Sequence, residues 1–434
     1  MPLLTAVRPL LPPRRRIRQV SAVFALFFWT IAQPSFAGFQ TRSFARGGGL
    51  MSQHCSGWLR GGCCGLRATA TAGEVDGVAG DWEGKTLLVL GGGVIGVSIA
   101  YHLALRGVRC TVIDRAGIAS CASGKAGGFL ARDWNDGSPV GELARQSFDL
   151  HEKVAKKLNL LSYRRLKCKA VAVDGSESKP SGAKLKDLEW TDIGVQGSRP
   201  MGDESTIAQV LPKQLVDAMW AFASQHGSTY LQGVVQNVVA DGGRVTGVMV
   251  DGKEVAADAV VLSMGPWSDV VTEMLPGLRM LGVKYHSVLM RTGRVLNEAV
   301  FFSGLGDPEV YPRNDGDTYV TGFPDPPCPV RETPGNVEVR EEVCSRLVNT
   351  MKQVSSEMDQ AEVTVKQSCY LPFTTDSTPC MGIVPDYENA YIATGHGCWG
   401  ILNSLASGLA MSELILDGYS GNVDLRPFNP ARFA

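Results

Sequence analysis

The apolar and polar positions between residues 85 and 114 predict a strand, a glycine-rich turn, a helix and a second strand. The stretch "KTLLVL" is a continuous apolar run, which is typical of a strand buried on both faces. Over 94–106 the apolar residues fall on one helical face, and Gly107 ends the helix. The stretch "VRCTVID" then forms the second strand. This order predicts an α/β architecture.

The rest of the chain mixes helical and β-type patterns. A polar Gly/Ser/Lys stretch, "DGSESKPSGAKLKD", predicts a surface loop. The stretch "VVQNVVADGGRVTGVMVDGKEVAADAVVLSMG" has short β runs separated by DGG and DG turns, which predicts a β-meander. We expect helices at 149–160, from Pro212, at 337–358 and at 404–416, a β-rich segment at 282–322, and a strand at 390–394.

Three glycines lie in the turn after the first strand, in the pattern Gly91-x-Gly93-x-x-Gly96. Gly91 permits a tight turn, Gly93 lets a pyrophosphate approach the backbone, and Gly96 lets the helix pack closely on the strand. The N-terminus of the helix offers N–H groups and partial positive charge to the phosphates. Asp114 ends the second strand, where its carboxylate can accept hydrogen bonds from ribose hydroxyls. The pattern predicts a dinucleotide site without distinguishing FAD from NAD.

Further glycine-bearing segments favour FAD. A helix that follows the last of them would stabilise negative charge on a reduced flavin. Taken singly, each of these glycines is better explained by an ordinary turn. The one other GxGxxG spacing in the sequence, Gly395-x-Gly397-x-x-Gly400, belongs to one of these segments, so no separate motif is found for the NAD(P) site that an NAD(P)-linked flavoprotein would need. The segments are "ASCASGKAGGFLA" with Ser123, Gly124, Gly127 and Gly128, "VVLSMGPWS" with Gly265, and "YIATGHGCWG" with Gly395, Gly397 and Gly400.

Composition narrows the function classes. The chain has 434 residues, enough for two or three domains, and its formal net charge is −1. This balance gives no electrostatic reason to expect a nucleic acid as a partner. The 11 cysteines are scattered and show no zinc-type spacing with histidines, so no metal site is expected.

The first 80 residues differ in composition from the rest, since arginines are frequent and no Asp or Glu precedes Glu74. The stretch "RRRIRQVSAVFALFFWTIAQPSFA" has the basic start and apolar core of a signal peptide, and "GFQTRSFARGGGL" resembles a transit peptide. Residues 1–80 are therefore expected to be a cleavable leader with little fixed structure, of the two-part type that directs proteins to complex plastids. The mitochondrion is the second expected location. The alternative is a secreted protein, or a leader that stays uncleaved as a membrane anchor. No membrane span is expected in the mature protein, because the apolar core is shorter than the roughly 20 residues that a spanning helix needs.

Together the segments "VLGGGVIGVSIAYHLALRG", "ASGKAGG", "GPWS", "EVYPRNDGDTYVTG" and "CYLPFTTDSTPCMG…GHGCWGI" resemble the D-amino-acid oxidase/glycine oxidase/sarcosine oxidase (DAO) family. The last two are most similar to a plant and fungal subgroup with poorly defined substrates. The resemblance implies a discontinuous Rossmann-type FAD-binding domain over 83–150, 205–270 and 365–434. It also implies a substrate domain with a large mixed β-sheet over 151–204 and 271–364.

The resemblance implies a chemistry as well. Members pass a hydride from the carbon beside an amine nitrogen to flavin N5, and the resulting imine hydrolyses. The expected substrate is a small amine or an N-substituted or D-amino acid, and the electron acceptor is O₂ or another oxidant. The alternatives are a low-turnover flavoprotein with a regulatory or trafficking role and a flavoenzyme that acts on a carboxylate-free substrate. The residues assigned to FAD are Gly91, Gly93, Val94, Ile95, Gly96, Asp114, Arg115, Ser123, Gly124, Gly127, Val235, Gly265, Gly395, Gly397, Gly400 and Ile401.

Several single residues are candidates for more specific roles. Cys369 lies seven residues before Asp376, the spacing at which sarcosine-oxidase-type members attach FAD covalently, although a buried, unreactive thiol is the alternative. Leu371 stands where amino-acid-oxidising members often carry a carboxylate-binding arginine. His396 is the candidate catalytic residue. The candidates for substrate contacts are Arg132, Arg313 and His286.

Overall fold

The computed structural model describes residues 82–176, 187–271 and 273–434. The predicted leader lies outside these ranges, as does most of the predicted Gly/Ser/Lys loop. The leader and the organelle address therefore stay predictions.

The described residues form strands and helices throughout. In chain order the strands are β1 (Leu87–Leu90), β2 (Thr111–Asp114), β3 (Phe129–Ala131), β4 (Arg164–Arg165), β5 (Lys167–Val173), β6 (Val195–Gly202), β7 (Ile207–Gln209), β8 (Thr229–Gln232), β9 (Val235–Asp241), β10 (Arg244–Val250), β11 (Lys253–Ala256), β12 (Ala259–Leu262), β13 (Leu281–Arg291), β14 (Glu298–Ser303), β15 (Glu309–Pro312), β16 (Asp317–Gly322), β17 (Glu362–Phe373), β18 (Cys380–Ile383) and β19 (Ala390–Thr394). The α-helices are α1 (Val94–Leu105), α2 (Ala122–Lys125), α3 (Gly141–Lys157), α4 (Pro212–Gln225), α5 (Glu341–Val354), α6 (Ser356–Asp359) and α7 (Gly400–Asp417).

One sheet has six strands in the order β18-β19-β12-β1-β2-β8. Neighbouring strands are parallel except for β18 and β19, which pair antiparallel. The carboxyl ends of β2, β1, β12 and β19 therefore meet at one edge, where open α/β sheets bind their ligands.

Strand β1 is buried on both faces, as its continuous apolar run predicts. Leu87 and Val89 belong to the core cluster that includes α1 and α7, whereas Leu88 and Leu90 pack with side chains of β10 and β12. Helix α1 is apolar on nearly every side, and all its residues except Leu105 are buried. A helix that is apolar on nearly every side must be packed against other elements on nearly every side.

The second large sheet has seven strands in the order β17-β13-β16-β15-β14-β5-β6. It is mixed, because β14 and β5 are parallel while the other pairs are antiparallel. Its side chains alternate between two faces. On one face Val288, Val310 and Val320 pack with α5, and on the other Tyr311 and Tyr319 pack with Phe129 from β3. We call these the helix face and the cleft face.

The mixed α/β class predicted from the sequence is confirmed. The strand at 390–394 has the predicted bounds, but α3 and α7 begin earlier than predicted, at Gly141 and Gly400. The first turns of α7 contain small and polar residues that are buried by close packing. Ser404 and Ser407, for example, are 0% exposed. Apolar periodicity does not report this kind of burial.

The predicted division into two domains stays a prediction. The six-stranded sheet draws its strands from the segments predicted for the FAD domain. Strand β17 pairs with β13 in the seven-stranded sheet, although its residues 365–373 fall within the segments predicted for the FAD domain. This long strand thus links the two groups of segments.

One helical stretch in the described part of the chain, Gly397–Asp417, is long and apolar enough to cross a membrane. Its apolar window is 72% buried inside the protein, as expected for a core helix. It is therefore weak support for a membrane span.

Buried histidines make the fold sensitive to acid. The His151 ring on α3 lies 3.0 Å from the carbonyl oxygen of Ile401 and 3.1 Å from that of Leu402, and so joins α3 to α7. Burial lowers the pKa of His151 to about 4, and that of His102 on α1 likewise. Both side chains are consequently neutral in the folded protein at neutral pH.

We predict that the free energy of unfolding falls as the pH drops from about 6.5 to about 4, because only the unfolded chain takes up protons there. Each such histidine contributes a loss on the order of 2 kcal/mol between pH ~8 and pH ~5. Urea unfolding at the two pH values measures it. The variant His151→Gln should lose its share of this pH dependence, and the surface control His226→Gln should not. An unchanged pH dependence in His151→Gln would contradict the account.

Candidate cofactor and active site

The glycine turn brings α1 closer to β1 than a side chain would allow. Gly91 has φ +112°, and a Cβ atom there would overlap the carbonyl oxygen of Ser263. A Cβ atom on Gly96 would overlap the carbonyl oxygen of Gly91 and lie 2.6 Å from Ser263 Oγ. Only glycine fits at these two positions, so neither position has a side chain to cover the backbone at the N-terminus of α1.

Hydrogen bonds fix the surroundings of this turn. The N–H of Val94 donates to Ser123 Oγ at 2.8 Å, and the N–H of Gly92 donates to Asp114 Oδ2 at 2.8 Å. The other oxygen of Asp114 accepts from the N–H groups of Ala116 and Gly117 at 2.7 and 3.0 Å. The carboxylate is thus held rigidly at the end of β2. Its remaining lone pairs can still accept hydrogen bonds from a ribose.

The turns after β12 and β19 are joined to each other. The hydroxyls of Ser268 and Thr394 lie 2.8 and 3.0 Å from the carbonyl oxygen of Gly265 and 3.0 Å from each other. Trp267 Nε1 donates to the carbonyl oxygen of Glu332 at 2.8 Å. This arrangement ties the Gly265 turn to the end of β19 and to the loop before α5.

The turn between β19 and α7 needs glycine at two positions. Gly395 has φ +79° and Gly397 has φ +56°, and Cβ atoms there would lie 2.6 Å from a Thr374 carbon and 2.7 Å from a Phe373 carbon. Between them, His396 is buried with its Nε2 3.0 Å from Ser407 Oγ. Burial lowers the pKa of His396 to about 3, so the ring is neutral at neutral pH. It can therefore act by hydrogen bonding but carries no positive charge.

All these turns line one continuous cleft. Its empty space is about 1390 Å³, including open solvent at the mouth. Most of the residues assigned to FAD from the sequence line it, together with the candidate His396. They are Gly91, Gly93, Val94, Ile95, Asp114, Arg115, Ser123, Val235, Gly265, Gly395, Gly397, Gly400 and Ile401.

The structure does not bring every predicted residue to the cleft. Gly96, Gly124 and Gly127 are absent from its wall and serve close packing instead. A Cβ atom on Gly124 would overlap the carbonyl oxygen of Ala119, and one on Gly127 would overlap the Tyr311 ring. Wall residues that the sequence analysis missed include Cys121, Met264, Pro334 and Cys398. Cys121 and Cys398 lie inside the glycine-bearing segments that favoured FAD, which is a signal that could have identified them.

Cys369 lies on the cleft face of β17, opposite Tyr285 of β13, but it is buried and is not part of the cleft wall. Burial raises the pKa of its thiol to about 12. The thiol is therefore protonated at neutral pH, whereas attack on a flavin requires the thiolate. None of the eight cysteines in the described ranges forms a disulfide.

The three candidates for substrate contacts lie in different places. Arg132 pairs with Asp149 near the surface, at 3.1 Å. Arg313 is buried, donates to the carbonyl oxygen of Ala126 at 3.2 Å and lies over the Tyr319 ring. His286 lies on the helix face of the seven-stranded sheet, where its Nε2 accepts from the N–H of Arg340 at 3.0 Å. Of the three, only Arg313 contacts a residue of the cleft wall.

The donor set of the cleft suits a dinucleotide. Bare backbone at a helix N-terminus fits a pyrophosphate, and a fixed carboxylate at the next strand end fits a ribose. In the described ranges, no three His, Cys, Asp or Glu side chains are grouped so that they could hold a metal ion. The cleft and its position at the carboxyl ends of the parallel strands thus define a dinucleotide-binding protein of Rossmann type.

Comparisons with known proteins support this dinucleotide-binding class. The family model described as "DAO: FAD dependent oxidoreductase" matches residues 86–414. The Schizosaccharomyces pombe relative C1F5.03c is 30% identical over 384 residues, covering 79% of this chain and 97% of the relative. Glycine oxidase of Geobacillus kaustophilus is 25% identical over 374 residues, covering 79% of this chain and 96% of that enzyme.

Solved structures show the same fold. The crystal structure of glycine oxidase from Geobacillus kaustophilus superposes with a TM-score of 0.67 at 22% identity, covering 81% of this chain and 100% of that one. L-proline dehydrogenase from P. horikoshii gives a TM-score of 0.67 at 20% identity, covering 80% and 97%. The chain belongs to the DAO family of FAD-dependent oxidoreductases, and its cofactor is FAD. The resemblance inferred from the sequence is confirmed.

We predict that Gly96→Ala weakens FAD binding at least tenfold and lowers the free energy of unfolding by about 1–3 kcal/mol, because α1 must move away from the Gly91 carbonyl. Titration of the apoprotein with FAD and urea unfolding measure the two effects. Gly197→Ala is the matched control, since a Cβ atom there would have nothing within 4 Å. Wild-type FAD affinity in Gly96→Ala would contradict the assigned role of this turn.

We predict that the FAD is not covalently bound, because the Cys369 thiol is protonated and buried. Acid precipitation of the holoprotein should leave the flavin in the supernatant. If the pellet retained flavin in the wild type and released it in Cys369→Ser, the link would be covalent and this reading of Cys369 would be wrong.

Proposed function

We propose that this chain oxidises the CH–NH bond of a small amine or of an N-substituted or D-amino acid. The observation that carries the proposal is the single cleft, which runs from the N-terminus of α1 to the turn before α7. Relatives and structural neighbours named glycine oxidase and L-proline dehydrogenase support this class of substrate. Bound FAD would supply the two-electron acceptor for a hydride from the carbon beside nitrogen.

The chain's own groups would provide electrostatics and shape. The N-terminus of α7, at Gly400, lies in the cleft wall and would stabilise negative charge that develops on the cofactor. The neutral His396 ring offers a hydrogen-bonding group in the same turn. Leu371 lines the cleft and cannot bind a carboxylate. Among the described residues of the wall, Arg115, beside Asp114 at the ADP end, is the sole Lys or Arg.

Anaerobic mixing of the FAD-loaded full chain with panels of amines and amino acids tests the proposal. We expect loss of the oxidised flavin absorbance with at least one compound that has a hydrogen on the carbon next to nitrogen. Free FAD with the same compounds is the control. If no member of either panel reduces the bound flavin, the enzyme proposal fails and a low-turnover role is favoured. Reoxidation by air or by a dye then identifies the kind of electron acceptor.

A further inference from the structure

A partly buried carboxylate, that of Glu309, lies on the cleft face of the seven-stranded sheet. Glu309 and Tyr311 are alternate residues of β15, so both point to the face that carries Tyr319. The register places Glu309 opposite Phe301 of β14 on one side and opposite Thr321 of β16 on the other. Glu309 is thus central in the sheet rather than at its edge.

Glu309 has no cationic partner. Within the described ranges, no Lys, Arg or His nitrogen lies within ion-pair distance of its carboxylate, which accepts a hydrogen bond from the Tyr311 hydroxyl. Other enclosed carboxylates of the same sheet are paired. Glu298 lies 2.9 Å from Lys169 Nζ, and Asp317 lies 2.9 Å from Arg291 Nε. Burial raises the pKa of Glu309, since its charge is poorly solvated and uncompensated. An ionised carboxylate in such a place is stabilised by a cation that enters with a ligand.

Aromatic rings cluster around Tyr311, the hydrogen-bonding partner of Glu309. The Tyr311 ring stacks on Tyr319, with centroids 5.8 Å apart, and on Phe129 at 5.0 Å. Trp134 lies 5.1 Å from Phe301 and 6.3 Å from Trp399. Aromatic faces attract a cation that has left water, as the Arg313 guanidinium over the Tyr319 ring illustrates, so the cluster suits an alkylated ammonium group.

The aromatic cluster reaches the turn before α7, which lines the cleft. Cys398, in the turn before α7, is exposed at the cleft wall. Trp399, the residue after Cys398, packs against the aromatic cluster, with its ring 6.3 Å from that of Trp134. The cluster that includes Tyr311, the hydrogen-bonding partner of Glu309, therefore adjoins the turn before α7.

We propose that Glu309 binds the ammonium group of a cationic amine substrate that lacks an α-carboxylate, with the tyrosines and tryptophans around it as the wall of the pocket. This inference rests on the proposed function and specifies its substrate class. The bound ammonium transfers one proton to the Glu309 carboxylate, giving a neutral amine and a carboxylic acid, and no bond to carbon changes in this step. The neutral amine is the form from which hydride loss is feasible.

Two inert probes of opposite charge test the proposal on the FAD-loaded full chain, tetramethylammonium and acetate. Each is titrated at constant ionic strength while the visible flavin spectrum is recorded. We expect tetramethylammonium to bind at least tenfold more tightly than acetate. In Glu309→Gln, which keeps the size of the side chain, the affinity for tetramethylammonium should fall about 10–100-fold, because the negative charge that attracts the cation is removed. Glu342→Gln removes an exposed charge on α5, behind the sheet, and should leave both affinities unchanged.

Equal or tighter binding of acetate would overturn the proposal, as would an unchanged affinity in Glu309→Gln or the absence of any response to tetramethylammonium. If Glu309→Gln does not fold, the comparison of tetramethylammonium with acetate on the wild type still tests the proposal. Failure of the proposed function looks different, because no amine or amino acid would then reduce the flavin. Reduction by amino acids alone would leave the proposed function standing and reject Glu309 as the ammonium site.

Discussion

The close approach of α1 to β1 is the constraint on which the rest of the site depends. It exists because Gly96 has no side chain and Gly91 adopts φ +112°, so the carbonyl of Gly91 occupies the space that a Cβ atom would take. This approach brings the bare N-terminus of α1 to the carboxyl ends of the parallel strands. A displacement of α1 would remove the place for the pyrophosphate and would shift Ser123, which is hydrogen-bonded to Val94.

The other parts of the cleft follow from the same sheet. Asp114, Ser263 and Gly395 come at or directly after the ends of β2, β12 and β19, so a parallel arrangement collects them at one edge. The seven-stranded sheet supplies the aromatic cleft face, with its apolar helix face covered by α5. One sheet thus positions the turns that line the cofactor cleft, and the other carries the aromatic face that we propose meets a substrate. Strand β17 carries Leu371 into the cleft wall between them.

Much of the cofactor end could be predicted from the sequence, because its signals are local. A glycine pattern, a buried strand and an acidic residue at the next strand end all lie within 30 residues of one another. The cleft face of the seven-stranded sheet could not be predicted in this way. Glu309, Tyr319 and Trp134 come together only through strand pairing between distant segments, and a single charged residue in "EVYPRNDG" resembles a surface charge. The strand register sets the face on which His286 lies, since a side chain one position earlier or later on β13 points to the cleft face.

Binding of the ADP half of FAD by the glycine turn and Asp114 is the property on which the assigned site depends most directly. Equilibrium titration of the apoprotein with FAD and with FMN, which has the flavin ring but lacks the adenylate, tests this claim. We expect one FAD per chain and an affinity for FAD at least about tenfold higher than for FMN, through hydrogen bonds to the pyrophosphate and the ribose. Equal affinities for the two flavins, or no binding of FAD, would contradict it.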